Sequence, residues 1–173
     1  DGEVYVTLTN NSKRGTSGAP GTDSANPRPE NSFGHIVRWR EKGGNAAATA
    51  FEWDIFALAG DPQNPDPAKQ GNINGDPYGS PDGLWFDPSC RLWIQTDVST
   101  SLLNQGEYAN LGNNQMLVAD VRDGATRRFL TGPKGCELTG ITATPDGKTL
   151  FVNIQHPGET ASERSDPARP NAI

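Results

Sequence analysis

The sequence predicts an all-β protein, part of a β-propeller with about two to three blades present. Three observations point there: a strand, tight turn, strand unit occurs twice, period-2 apolar alternation runs through the other apolar segments, and turn formers are in surplus. Of 173 residues, 20 are Gly and 14 are Pro, well above average usage. Apolar residues make up only 33%, yet the Trp, Tyr and Phe residues stand in compact groups, which disordered chains seldom show.

Taken in order, the opening stretch Val4-Tyr5-Val6-Thr7-Leu8-Thr9 reads as a strand. Gly34-His35-Ile36-Val37-Arg38-Trp39-Arg40 alternates, reaches a Gly43-Gly44-Asn45 turn and returns as Ala50 to Phe56. Gly83-Leu84-Trp85-Phe86, the turn Asp87 to Arg91 and Leu92-Trp93-Ile94 form the first hairpin unit. Gln115 to Val121, an Asp123-Gly124 turn and Thr126 to Leu130 form another pair, since Asp-Gly and Gly-Gly between alternating runs are hairpin signals. Gly140 to Val152 then repeats the first hairpin, with Thr144-Pro145-Asp146-Gly147-Lys148 as its turn.

Lettering the strands of a repeating unit A to D, the chain reads B-C-D, A-B-C-D, A-B. Four-stranded antiparallel units in series are the mark of a propeller, whose blades bury their faces against neighbouring blades; a β-sandwich is the alternative. The repeat includes the turn chemistry as well as the apolar rhythm, which favours the propeller. Within it, the short turns fall on one face, and the long connections Asn10 to Gly34, Leu58 to Asp82, Asp97 to Asn114, Thr131 to Thr139 and from His156 onward fall on the other. Loops of this length inside a compact domain usually carry function.

Lys and Arg number 15 against 21 Asp and Glu, a formal charge of −6, so no basic surface is available for nucleic acid. No apolar run approaches the ~20 residues that span a bilayer. Both ends read as cuts, so the expectation is a partial domain, residues 1–173, from the C-terminal part of a longer chain, with no targeting signal to inspect. Cys90 and Cys136 lie in a turn and a Gly-rich loop, a spacing that offers no metal knuckle and only weakly suggests a disulfide.

The long loops are rich in oxygen ligands of the kind hard cations such as calcium take. Asp82 immediately precedes the innermost strand at Gly83, and Glu137 lies three residues before the equivalent Gly140, so both are expected at the channel mouth as metal ligands. Asp97, ending the strand Leu92 to Thr96, reaches the same rim, and Asn113 and Asn114 close the next loop. His35, at the start of an apolar strand, reads as structural; His156 leaves an inner strand at the rim and is a candidate site residue. No G-x-S-x-G elbow, H-E-x-x-H or P-loop occurs, which leaves triad hydrolysis, zincin chemistry and nucleotide-phosphate cradling without support.

Six segments in order, Val4 to Ser12, Gly34 to Trp39, Gly71-Asn72-Ile73-Asn74-Gly75-Asp76, Ser80 to Asp87, Leu92 to Asp97 and Leu150 to Glu159, resemble the C-terminal part of the PhoX-type alkaline phosphatases. The resemblance covers nearly the whole chain. It implies a six-bladed propeller, a periplasmic or secreted bacterial phosphomonoesterase, and calcium and iron ions at the channel mouth. It also implies Asp82 and Glu137 as metal ligands, Asp97 as a ligand or supporting carboxylate, and Asn113 or Asn114 as a contact to substrate phosphate. The cysteine and several acidic residues that hold iron in the family belong to a part this chain lacks, so neither cysteine replaces them. The implied partners are small phosphate esters and the rest of the parent chain, and the isolated chain is expected to be inactive. Two other readings remain open: a non-catalytic calcium-binding propeller module and a lactonase-like propeller hydrolase.

Overall fold

A computed structural model describes residues 2–157. The described residues form strands β1 (Glu3–Leu8), β2 (His35–Glu41), β3 (Phe51–Leu58), β4 (Asn74–Gly75), β5 (Pro81–Phe86), β6 (Arg91–Thr96), β7 (Gln115–Asp120), β8 (Ala125–Thr131), β9 (Glu137–Ala143) and β10 (Leu150–Gln155). The only helices among them are three single 3-10 turns, so the all-β expectation holds.

The strands form three sheets, in the orders β1-β2-β3, β4-β8-β7-β6-β5 and β10-β9. Apart from β4, every neighbouring pair is antiparallel, and within each sheet the main strands pair in chain order, whether joined by a short turn, as β5 and β6 are, or by a long loop, as β1 and β2 are. The three, four and two main strands match the predicted B-C-D, A-B-C-D and A-B groups. β5 lies between the neighbouring sheets, against β1 on one side and β9 on the other.

Turn chemistry fixes the hairpins. In the β5–β6 turn, Asp87 Oδ1 accepts the Ser89 and Arg91 amides at 2.9 and 3.0 Å, while Oδ2 accepts Arg91 Nε at 2.7 Å and Trp93 Nε1 at 3.0 Å. Burial pushes this carboxyl up, but these bonds and the Arg91 charge outweigh it and hold it below the usual range. The β9–β10 turn repeats the device: Asp146 Oδ1 accepts the Lys148 amide at 3.1 Å. At matching places in the two turns stand Cys90, with φ +60°, and Gly147, with φ +67°.

Tyr5 of β1 meets Phe56 of its own sheet edge-on at 5.3 Å and Phe86 of the second sheet at 5.2 Å. A second cluster joins Trp93, Met116 and Leu138, flanked by Trp85, Ile141 and Val152. Core packing therefore runs from the first sheet through the second to the third.

Three boundaries differ from expectation. The connection from Leu58 to Asp82 is not loop throughout, since β4 pairs in parallel with β8. Asp76 secures it there, donating its amide to Thr126 O at 3.1 Å and accepting the Arg128 amide on Oδ2 at 2.8 Å, which covers an otherwise open sheet edge. β5 begins at Pro81 and β9 at Glu137, so Asp82 and Glu137 belong to strands rather than preceding them. Partners across the sheets, Thr96 for Pro81 and Gln155 for Glu137, extend the ladders by these residues.

Alternation of direction places the connections after β1, β3, β6 and β8 at one end of the sheets. Arg28 pins two of them, donating to Ala59 O at 2.8 Å and Gly34 O at 2.7 Å. Gly34 itself has φ +74°, and a Cβ there would stand 2.0 Å from Thr9 O, so only glycine fits where the first loop re-enters β2.

Candidate functional site

Asp82 is the second residue of β5, one residue into the strand from Pro81, and Asp97 is the first residue past the end of β6, after Thr96, the partner of Pro81. Their backbones are tied to neighbours: Thr7 Oγ1 donates to Asp82 O at 2.9 Å, and the Asp97 amide donates to Ser80 O at 2.9 Å. The Asp82 side chain is exposed and that of Asp97 half-buried. Partial desolvation and then the charge of Asp97 push the Asp82 carboxyl above its ordinary value. Among the described residues neither carboxylate is in an ion pair, and two carboxylates that repel one another are relieved by a bound cation.

Glu137, the first residue of β9, accepts a hydrogen bond from Gln155 Nε2 at 3.1 Å. The same nitrogen lies 3.0 Å from His156 Nε2; an amide nitrogen only donates, so this ring nitrogen accepts. His156 has φ +52°, an uncommon conformation for a non-glycine residue and one that gathers at functional sites. Gly158 and Glu159, the end of the last PhoX-like segment, lie outside the described residues.

Asn114 has a task different from the substrate contact expected of it. Its amide is buried and fully bonded inside the protein: Oδ1 accepts Thr96 Oγ1 at 3.0 Å and the Val98 amide at 2.7 Å, and Nδ2 donates to Val98 O at 2.9 Å and Cys136 O at 3.0 Å. These are the residues on either side of Asp97 and the one before Glu137. Asn114 thus clamps two candidate ligands to one another through their backbones. Asn113 is half-buried, donating to Gly132 O at 3.1 Å and accepting from Asn104 Nδ2 at 2.9 Å.

His35 is structural, as its position predicts. It is buried, with Nδ1 3.0 Å from Asn31 Nδ2 and Nε2 2.7 Å from Ala25 O. Burial lowers its pKa, and the charges of Arg28 and Arg14 add to that against the opposing Ala25 bond. Both cysteines are free, Cys90 exposed and Cys136 buried. The Cys136 thiol donates to Pro133 O at 3.1 Å, and burial followed by the Glu137 charge raises its pKa.

Sequence reasoning missed Thr7, Ser80 and Gln155, whose roles are contacts to a backbone or a neighbouring carboxylate across the sheets. It missed Gln95 too, a fully buried β6 side chain whose Oε1 would stand 2.3 Å from any Cβ at Gly83. Nothing in local sequence marks such residues.

The family model for "Alkaline phosphatase PhoX" matches residues 1–158. The chain belongs to the PhoX alkaline phosphatase family. A solved structure, Pseudomonas fluorescens PhoX in complex with vanadate, a transition state analogue, is similar at a TM-score of 0.87 and 49% sequence identity over 96% of this chain. The chain spans 30% of that neighbour's length. No curated protein matches it.

The donor set of this PhoX-family chain fits a share of a hard-cation site. Asp82 and Asp97 offer oxygens of the kind calcium takes, and their mutual repulsion favours a cation. Among the described residues no three His, Cys, Asp or Glu side chains converge to hold an ion, so the share is incomplete. Cys136 does not fit as an iron ligand, being buried, with its thiol turned to Pro133 O and its deprotonation disfavoured.

Proposed function

We propose that this chain is the C-terminal part of a bacterial, periplasmic or secreted phosphomonoesterase built on a six-bladed β-propeller, and that it contributes part of the metal site to an enzyme releasing phosphate from phosphate esters. The observation that carries the reading is the close likeness to a PhoX chain that binds vanadate, a mimic of the phosphoryl group in flight. The chain's own geometry supports it, because an exposed Asp82 and a half-buried Asp97 stand close enough for the charge of Asp97 to add to partial burial in raising the Asp82 pKa. Within the reading, Asp82, Asp97 and Glu137 are ligands for calcium or a shared ion, Asn113 is a substrate contact, and Asn114 positions Asp97 and Glu137. Iron is held by residues of the parent chain outside this segment. Bound cations would supply charge stabilisation to the phosphoryl oxygens.

The outer face of the first sheet supports a longer array. Val4, Trp39 and Trp53 are aligned across β1, β2 and β3, opposite the face from which Tyr5 meets the second sheet. On this outer face Val4, Val6 and Trp53 are 36%, 40% and 42% exposed. A further blade from the same parent protein would cover it, as propeller blades require. Without such blades the isolated chain holds half a metal site and is inactive. Among the described residues no helix is long and apolar enough to cross a membrane.

The test is hydrolysis of p-nitrophenyl phosphate at alkaline pH by the full-length parent protein. Activity should fall on EDTA treatment, and Asp82→Ala and Glu137→Ala should each cripple turnover. Full turnover in both variants would overturn the ligand assignment. Metal analysis that finds calcium without iron would favour a non-catalytic module instead.

A further inference from the structure

Ser80 stands two residues before Asp82, and its backbone is left-handed, with φ +52°. Of the five non-glycine residues with a positive φ among the described residues, Ser80 alone is buried. A serine in that region carries strain, which persists only where the surroundings over-determine it. The strand that follows is irregular as well. Pro81 pairs with Thr96 and Leu84 with Ile94, so three steps along β5 span two along β6. Asp82 lies in this bulge, a device that re-aims side chains.

Three separate segments hold Ser80 in place. Its amide donates to Phe33 O, in the loop after β1, at 2.7 Å, and its carbonyl accepts the Asp97 amide at 2.9 Å. Its hydroxyl lies 3.0 Å from that of Tyr108, in the loop after β6. Tyr108 gives its one hydroxyl proton to Ser32 O, so Ser80 Oγ donates to Tyr108 Oη. The Tyr108 ring is seated in turn: it lies 5.4 Å from the ring of Phe33, and a Cβ on Gly79 would stand 2.8 Å from Tyr108 Cε1. The strand ladder itself asks for no left-handed residue here, since it begins only at Pro81.

We infer that Ser80, braced by Tyr108, is a positioning residue for the proposed metal site, its left-handed backbone fixing the spacing of Asp82 against Asp97. The inference rests on the reading of these two carboxylates as ligands and adds what sets them side by side. Ser80 reaches Asp82 through Pro81 alone and Asp97 through a single hydrogen bond, so a rotation of its backbone moves one carboxylate relative to the other. Pro81, with φ locked by its ring, has little freedom to absorb that rotation. A residue before proline favours extended backbone. Without the Tyr108 bond, Ser80 relaxes in that direction and the spacing changes.

The test uses the full-length parent protein stripped with EDTA, with calcium itself as the probe, affinity read by calorimetry and stability by urea unfolding. Ser80→Ala and Tyr108→Phe each sever the brace and should weaken calcium binding about tenfold or more. Because they sever the same bond, the double variant should lose no more than the weaker-binding single variant. A serine that merely stabilised the loops would, when replaced, lower the urea midpoint and leave the calcium affinity of the folded protein where it was. Unaltered affinity in both single variants, or losses that add in the double variant, would overturn the inference. Asp82→Ala separates it from the reading beneath. If that variant binds calcium as before, the ligand assignment falls and the positioning role falls with it; if Asp82→Ala loses binding while Ser80→Ala and Tyr108→Phe keep it, the positioning role falls alone.

Discussion

Replacing Asn114 by Ala removes one side chain and orphans four groups: the Thr96 hydroxyl, the Val98 amide and carbonyl, and the Cys136 carbonyl. Each bond is worth about 0.5–1.5 kcal/mol net, and a buried group left without a partner costs toward the upper end. Water entering the gap recovers part of this, so the expected loss is about 3–5 kcal/mol. Asn114→Asp keeps the shape and both accepting bonds but sets a carboxylate oxygen against the Val98 and Cys136 carbonyls, and should cost at least as much. Urea unfolding should show a lower midpoint with an unchanged slope. Hydrogen exchange gives the local readout, because the Val98 amide donates directly to Asn114 Oδ1 and should lose protection. Calcium affinity of the parent protein should drop about 10- to 100-fold, as for other residues that orient ligands. A loss below about 0.5 kcal/mol together with unchanged Val98 protection would refute the clamp.

Gly34→Ala should destabilise by about 3 kcal/mol or more, combining left-handed backbone strain with overpacking against Thr9 O, as read by thermal or denaturant unfolding; a neutral result would mean that the loop re-entry yields freely. The lowered pKa of His35 means that the unfolded chain takes up a proton before the folded one as pH falls, so stability should decline below the unfolded value near 6.5 by up to about 1.4 kcal/mol per pH unit, and His35→Gln should remove that slope. Cys90→Gly should stabilise by up to about 1 kcal/mol, because a left-handed turn residue without a Cβ is relieved of strain. Asp82→Asn should raise stability by about 0.5 kcal/mol or less in EDTA, given its exposure, and abolish that gain once calcium is present.

Strand existence and grouping were legible in the sequence because period-2 alternation and Asp-Gly turns act locally. The Asp87 and Asp146 turns, the structural role of His35 and the left-handed place of Cys90 are consequences of short segments read in isolation. β4 was not legible: Asn74-Gly75 carries no strand pattern, and its pairing depends on Asp76 meeting a strand about 50 residues later. Likewise, Asn113 and Asn114 look identical as loop amides. Only the folded chain distinguishes the one that is half-buried from the one whose whole bonding capacity is taken up by Thr96, Val98 and Cys136.

That distinction also explains how a site can be assembled from repelling groups. Asp82, Asp97 and Glu137 come from β5, the end of β6 and β9; β5 and β6 share a turn only at their far end, and β9 belongs to another sheet. The Asp82 and Asp97 side chains would separate if the loop ends were free to move, since the charge of Asp97 adds to partial burial in raising the Asp82 pKa. What opposes that movement is neutral and backbone-directed: Thr7 on the Asp82 carbonyl, Ser80 on the Asp97 amide, and Asn114 on the flanks of Asp97 and Glu137. None of these backbone contacts engages the carboxylates of Asp82 and Asp97, whereas the Glu137 carboxylate accepts a bond from Gln155. Direct bonds from Arg or Lys would neutralise the Asp82 and Asp97 carboxylates, whereas amide and hydroxyl contacts to the backbone leave their charge in place.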